Sequence, residues 1–186
     1  MPHKLFKLIL TIILITISVL TVTNSVSHAD TVMRSKPDYT KPSEVMPYPD
    51  LNYVDNLNLL VKIKQNRVYL RDNSHVIYTI YCSAGKIDPK THQSNTPTGH
   101  FKIQSEHGDS FYNQSLNEGA NYWTSFKDHG IYLFHTVPTD RNGHYKTTPA
   151  KLLGKRPDSH GCIRLSIPDA KFIQTIPVGT PVTIEQ

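Results

Sequence analysis

The chain has 186 residues, 38% of them hydrophobic, and 20 Lys and Arg against 15 Asp and Glu give it a formal net charge of +5. Two cysteines are too few for a disulfide-dense scaffold, and without a run of Lys or Arg nothing suggests a nucleic-acid partner.

Lys4 and Lys7 precede an uncharged stretch of 15 residues, Leu8 to Val22, and the small residues Ser27 and Ala29 follow it. Basic, apolar and small residues in that order predict a secretory signal peptide over residues 1–29. The apolar run is shorter than the roughly 18 to 20 residues of a spanning helix, and retention as an N-terminal anchor is the alternative. Either way the rest of the chain is expected outside the cytoplasm, in the medium, in the cell wall or at the outer face of the cytoplasmic membrane. Cleavage after Ala29 leaves 157 residues, enough for one domain with a real core. Residues 30–56 carry Pro37, Pro42, Pro47 and Pro49 without a period of 2 or 3.6, and read as a linker or strand-poor lead-in.

From Leu59 onward short runs rich in Val, Ile, Tyr and Thr appear: LLVKIK, VYLR, HVIYTIYC, GHFKIQ, GIYLFH, CIRLSI and a closing PVTIE. About seven strands predict a mainly β domain, built of two packed sheets. NTPTGHF places Pro97 and Gly99 at the second and fourth positions of a type I turn. One short helix is expected after Thr148 as N-cap, with Pro149 leading and Gly154 stopping it. A second is expected after Ser166, where Asp169 completes a capping-box pattern, Ala170, Ile173 and Ile176 share a face, and Pro177 closes it.

The chemistry concentrates in PDSHGCIRLS. On a strand, Ile163, Leu165 and Ile167 point one way and His160, Cys162, Arg164 and Ser166 the other. Cys162 thus joins the polar set, where His and Arg neighbours would lower the thiol pKa. Gly161 permits a sharp turn, and its amide with that of Cys162 could form an oxyanion hole. An acyl transfer also needs a base, and His160 and His135, the latter closing GIYLFH with Thr136 beside it, compete for that role. Three other readings stand beside this one. Cys162 could be tied to Cys82 in a non-catalytic wall-associated protein. His135, His160 and Cys162 could hold a metal, although no paired-cysteine spacing supports it and the remaining histidines are scattered. Tyr122 and Trp123 could line a substrate site or simply fill a core or hairpin.

SHGCIRLS, with TPTGHFKI and GIYLFHTVP upstream and IPVGTPVTIE at the end, resembles the L,D-transpeptidase catalytic domain (YkuD-like) family over residues 57–186. The resemblance implies a β-sandwich-like fold of mixed sheets and cysteine acyl transfer on peptidoglycan stem peptides, with no metal or organic cofactor. It implies a tetrapeptide donor, a diamino-acid acceptor amine or water, inhibition by carbapenems, and a monomer. By position, Cys162 matches the nucleophile, His135 the general base, and Gly161 with Cys162 the oxyanion-hole backbone. Ser159 and His160 match the structural part of the motif, and Arg164 a position associated with the substrate carboxylate. Thr136, Tyr122 and Trp123 are further candidates for substrate contact. The 24 positions from His135 to Ser159 exceed the common spacing of the motif, and the added segment, 137–158, is expected to form a flap over the cleft. Papain-like and sortase-like enzymes are the remaining cysteine hydrolases to weigh, and the order of His before Cys fits the transpeptidase resemblance better.

Overall fold

The computed structural model describes residues 32–186, so the predicted signal peptide lies outside the described residues. Nine strands form two mixed sheets. The first sheet contains β1 (Leu57–Lys62), β2 (Arg67–Asp72), β3 (His75–Tyr81), β4 (Gly99–Lys102) and β9 (Pro181–Glu185), in the order β3-β2-β1-β9-β4. The second contains β5 (His107–Asn113), β6 (Glu118–Lys127), β7 (Tyr132–Thr136) and β8 (Ile163–Leu165), in that order. Only β1 with β9 and β7 with β8 run parallel. Alternation explains the core: Leu59 and Val61, Val68 and Leu70, Ile163 and Leu165, and Val182 and Ile184 bury alternate positions, joined by Phe126 and Phe134.

The sequence reading missed the β5–β6 hairpin. Its strands HGDSFYN and EGANYWTSFK carry Gly, Ser and Asn where β-branched residues would announce a strand, and cross-strand pairing from His107↔Thr124 to Asn113↔Glu118 holds it instead. Smaller expectations also need correction. Helix α1 (Thr147–Ala150) starts two residues earlier than expected, with Lys146 and not Thr148 at its N-cap, and ends at Ala150, short of Gly154. The turn over Thr96–Gly99 is open: no hydrogen bond runs from the Gly99 amide to the Thr96 carbonyl, and Gly99 instead begins β4. Helix α2 (Ile167–Ile173) starts as expected, with Ser166 Oγ accepting from the Asp169 amide at 3.2 Å, but ends at Ile173, before Ile176 and Pro177.

The largest correction concerns the Pro-rich segment. Residues 32–186 form one compact unit, and the segment expected as a linker packs on the domain as a strap. Strand β3 is a sheet edge whose free N–H groups need partners. The strap supplies them: Glu44 Oε1 accepts from the Thr79 amide at 2.7 Å, and Ser43 Oγ from the Tyr81 amide at 2.8 Å. Its anchor is Asp169 on α2, fully buried, whose carboxylate accepts from the hydroxyls of Ser43 (2.6 Å), Tyr48 (2.7 Å) and Ser166 (2.6 Å). Burial still pushes the Asp169 carboxyl above its ordinary pKa, with those hydrogen bonds working against the shift. Asp169→Ala leaves the two buried hydroxyls of Ser43 and Ser166 and the half-buried one of Tyr48 without their acceptor, and should cost about 3 kcal/mol in urea unfolding. Asp169→Asn, which keeps an acceptor oxygen, should cost less.

Candidate active site

Parallel pairing of β7 with β8 sets His135 beside Arg164, and Cys162, two residues before Arg164, enters from the same face. Cys162, His135, His160 and Arg164 all line a cleft of about 430 Å³ whose walls include Phe111, Trp123, Ile131 and Leu133. A concave, largely apolar cavity with a few convergent polar groups is the usual form of a small-molecule or peptide site.

His135 is buried at 6% exposure, and its Nδ1 lies 2.6 Å from the Thr136 carbonyl oxygen. A carbonyl only accepts, so Nδ1 carries the proton and Nε2 keeps a free lone pair. Burial pushes the imidazole pKa down from 6.5 to about 4, more than the Thr136 hydrogen bond pulls it up, and Arg164 adds to the lowering. Phe111 packs edge-on against the ring at 5.5 Å between centroids and fixes its plane. Thr136 is therefore a support and not a substrate contact: it is fully buried, its carbonyl orients His135 and its hydroxyl accepts from the Asn121 amide at 3.0 Å.

Cys162 is half-buried, and its thiol donates to the Ile131 carbonyl at 3.5 Å and not to His135. The expected lowering of its pKa is overturned. Burial raises the thiol pKa, and the smaller opposing effects of the Leu133 backbone and the Arg164 charge do not cancel it. The charge of Arg164 is already claimed: Nη2 meets Glu118 Oε2 at 3.0 Å and Nη1 meets Asp158 Oδ2 at 3.2 Å, with the side chain only 4% exposed. Both terminal nitrogens are thus occupied, which departs from the expected clamp on a substrate carboxylate. His160 is an exposed rim residue, with Nδ1 4.0 Å from Glu118 Oε2. Trp123 reaches the cleft, whereas Tyr122 packs against the main core with Lys171 5.9 Å from its ring, on the other side of the strand.

The turn before the nucleophile is braced by side chains. Ser159 Oγ donates to the Cys162 carbonyl at 2.5 Å and accepts from the Gly161 amide at 3.0 Å, so its side chain braces the turn. It also occupies one of the two amides expected to form the oxyanion hole. The Thr96 hydroxyl donates to the Gly161 carbonyl at 2.7 Å and accepts from the Gly85 amide at 2.7 Å. Gly161 sits at φ 149°, and an added Cβ would lie 3.0 Å from Tyr132 Cε1 and 3.2 Å from the Asn95 carbonyl oxygen. Gly161→Ala should destabilise the protein by roughly 1–3 kcal/mol and misalign Cys162, measurable as a lower thermal midpoint and slower alkylation of the thiol.

A Cys82–Cys162 disulfide is overturned as well. Both thiols are free. The Ser83↔Arg164 bridge aligns Cys82 with Leu165 on the core face of the strand, opposite to the face that carries Cys162, and no disulfide geometry spans that arrangement. Burial pushes the Cys82 thiol up to about 12, so it is inert. Among the described residues no group of three metal-ligating side chains occurs.

The model of the L,D-transpeptidase catalytic domain (YkuD) matches residues 58–184, about two thirds of the chain. The chain belongs to the L,D-transpeptidase catalytic domain family. Similar proteins include one from Bacillus subtilis named "Putative L,D-transpeptidase YciB", 41% identical over 148 residues that cover 79% of this chain and 74% of that one. Among solved structures, an L,D-transpeptidase from Mycobacterium smegmatis (TM-score 0.54, 19% identity) and the L,D-transpeptidase LdtMt1 in complex with imipenem (0.54, 22%) share the fold. Each comparison covers 70% of this chain and 59% of the solved one, so this L,D-transpeptidase family member spans about three fifths of the length of those chains. Glu118 and Asp158 were missed in the sequence. Glu118 lies on the unrecognised hairpin, and a carboxylate 46 residues from Arg164 leaves no local signal.

Proposed function

We propose that the protein is a peptidoglycan L,D-transpeptidase acting outside the cytoplasm, with Cys162 as nucleophile and His135 as base. The observation that carries this reading is the shared cleft, in which a half-buried thiol and a histidine with a free Nε2 face the same apolar-walled space. With the imidazole pKa low and the thiol pKa high, the resting pair is neutral, so the proton moves as the bond forms and not beforehand. The sulfur attacks the carbonyl of the third stem residue while Nε2 takes the thiol proton. The tetrahedral intermediate collapses to a thioester, and the imidazolium returns its proton to the departing D-Ala amine. An amine on the third residue of a neighbouring stem then attacks the thioester, His135 takes the excess proton from that amine, and the thiol is restored as a 3-3 cross-link forms.

Water as the acceptor would make the same protein an L,D-carboxypeptidase. The apolar walls favour the amine, because they restrict water around the thioester. By analogy with the imipenem complex of LdtMt1, a carbapenem should acylate Cys162. The test is intact-protein mass spectrometry after incubation with a disaccharide-tetrapeptide. The expected result is an adduct lacking D-Ala, followed by a cross-linked dimer. Release of D-Ala without any dimer would favour the carboxypeptidase, and neither adduct nor D-Ala would overturn both.

A further inference from the structure

A second cavity, about 480 Å³, lies between residues 34–41 of the strap and α1 with the turn after it. Its lining carries Arg34, Lys36, Lys41, Lys151 and Lys155 against one carboxylate, Asp38. Residues 32–186 hold 18 Lys and Arg and 14 Asp and Glu, a net charge of +4. The groove alone carries that same +4, so the rest of the domain is electrically balanced and its excess charge is gathered in one place. Lys41 pairs with Asp38 at 3.5 Å, whereas the ammonium groups of Lys36, Lys151 and Lys155 have no carboxylate partner among the described residues. Gathering like charges without compensation disfavours the folded chain by itself, and a bound anion relieves it. Most of the groove comes from the strap, which precedes the region matched by the family model.

We propose that this groove binds a linear phosphodiester-linked polymer through its repeated single charges. Cations spread over two chain segments suit a ligand with repeated single charges better than one compact ion. Lysine ammonium groups are point donors that accept phosphate oxygens from many directions. Arg34, the group best suited to a planar carboxylate, has its Nε committed to the Pro42 carbonyl at 2.8 Å. None of the large, exposed hydrophobic side chains lines the groove, so it offers nothing to insert into a bilayer. Its one aromatic ring, Tyr39, packs against Tyr145 at 5.6 Å and is not a free platform for a nucleic-acid base.

The test is calorimetric titration of the full chain with a short poly(glycerol phosphate) chain at low ionic strength, with raised salt as a second condition. Binding should weaken with salt. It should fall at least about tenfold in the Lys36→Gln, Lys151→Gln, Lys155→Gln triple variant, whose exposed positions leave folding intact. The charge-matched Lys64→Gln, Lys90→Gln, Lys102→Gln variant should bind as the parent does. Equal binding by the first triple variant would overturn the site. Equal affinity for poly-glutamate would overturn the phosphodiester class, and uptake by phosphatidylglycerol vesicles without polymer binding would move the ligand to the membrane.

Discussion

Cys162→Ala is expected to lower D-Ala release by roughly 10³-fold or more while leaving the fold in place. The thiol sits at the cleft surface and its hydrogen bond to the Ile131 carbonyl is long at 3.5 Å, so its loss should change stability by less than about 1 kcal/mol. Cys82 provides the contrast. It is fully buried in the main core, so Cys82→Ala should retain activity and cost about 1–2 kcal/mol through the space it leaves. Alkylation of the native protein should mark Cys162 alone. A folded Cys162→Ala variant that still releases D-Ala at the parental rate would remove the nucleophile from this account.

His135→Asn and His160→Ala should separate the two histidines by a wide margin. Loss of His135, the base in the proposed reaction, should cost about 10²- to 10⁴-fold in acylation, whereas loss of the exposed His160, held only at 4.0 Å from Glu118, should cost less than about tenfold. The same substitution has a second signature in stability. His135 is neutral and buried in the native state with a pKa of about 4, against 6.5 when unfolded. Between those values the unfolded chain binds a proton that the native chain refuses, so stability rises with pH across the window. The contribution is complete above pH 6.5 and is lost as pH falls through 4, amounting to about 3 kcal/mol. Asp169, with its raised pKa, acts with the opposite sign, and so the parent should be compared with His135→Asn by urea unfolding at pH 7 and pH 4.5. The variant should show the smaller loss on acidification, and equal losses would contradict the buried neutral imidazole.

Where a residue type and its period carried the information, the sequence was readable. Seven strands, α2 with its Ser166 cap, and Cys162 and His135 facing one cleft all follow from local pattern and motif. What escaped depends on partners distant in the chain. The charge of Arg164 looked available to the thiol until Glu118 and Asp158 were found on it, and the Gly161 amide looked available to an oxyanion until Ser159 was found beneath it. Pro37 to Pro49 read as a linker because prolines abolish periodicity. The segment is ordered by side chains reaching β3 and α2, with Ser43 and Asp169 lying 126 positions apart.

The central place of β9 has a consequence for how the chain is made. The ninth of the described strands in chain order lies between β1 and β4, and Leu59 waits for Val182 before the five-stranded sheet can close. Contacts this distant in sequence slow folding, because the intervening loop must be ordered before they give anything back. In a nascent chain the five-stranded sheet therefore stays open between β1 and β4 until β9 has been made, and the apolar side chains of β1 wait uncovered for it.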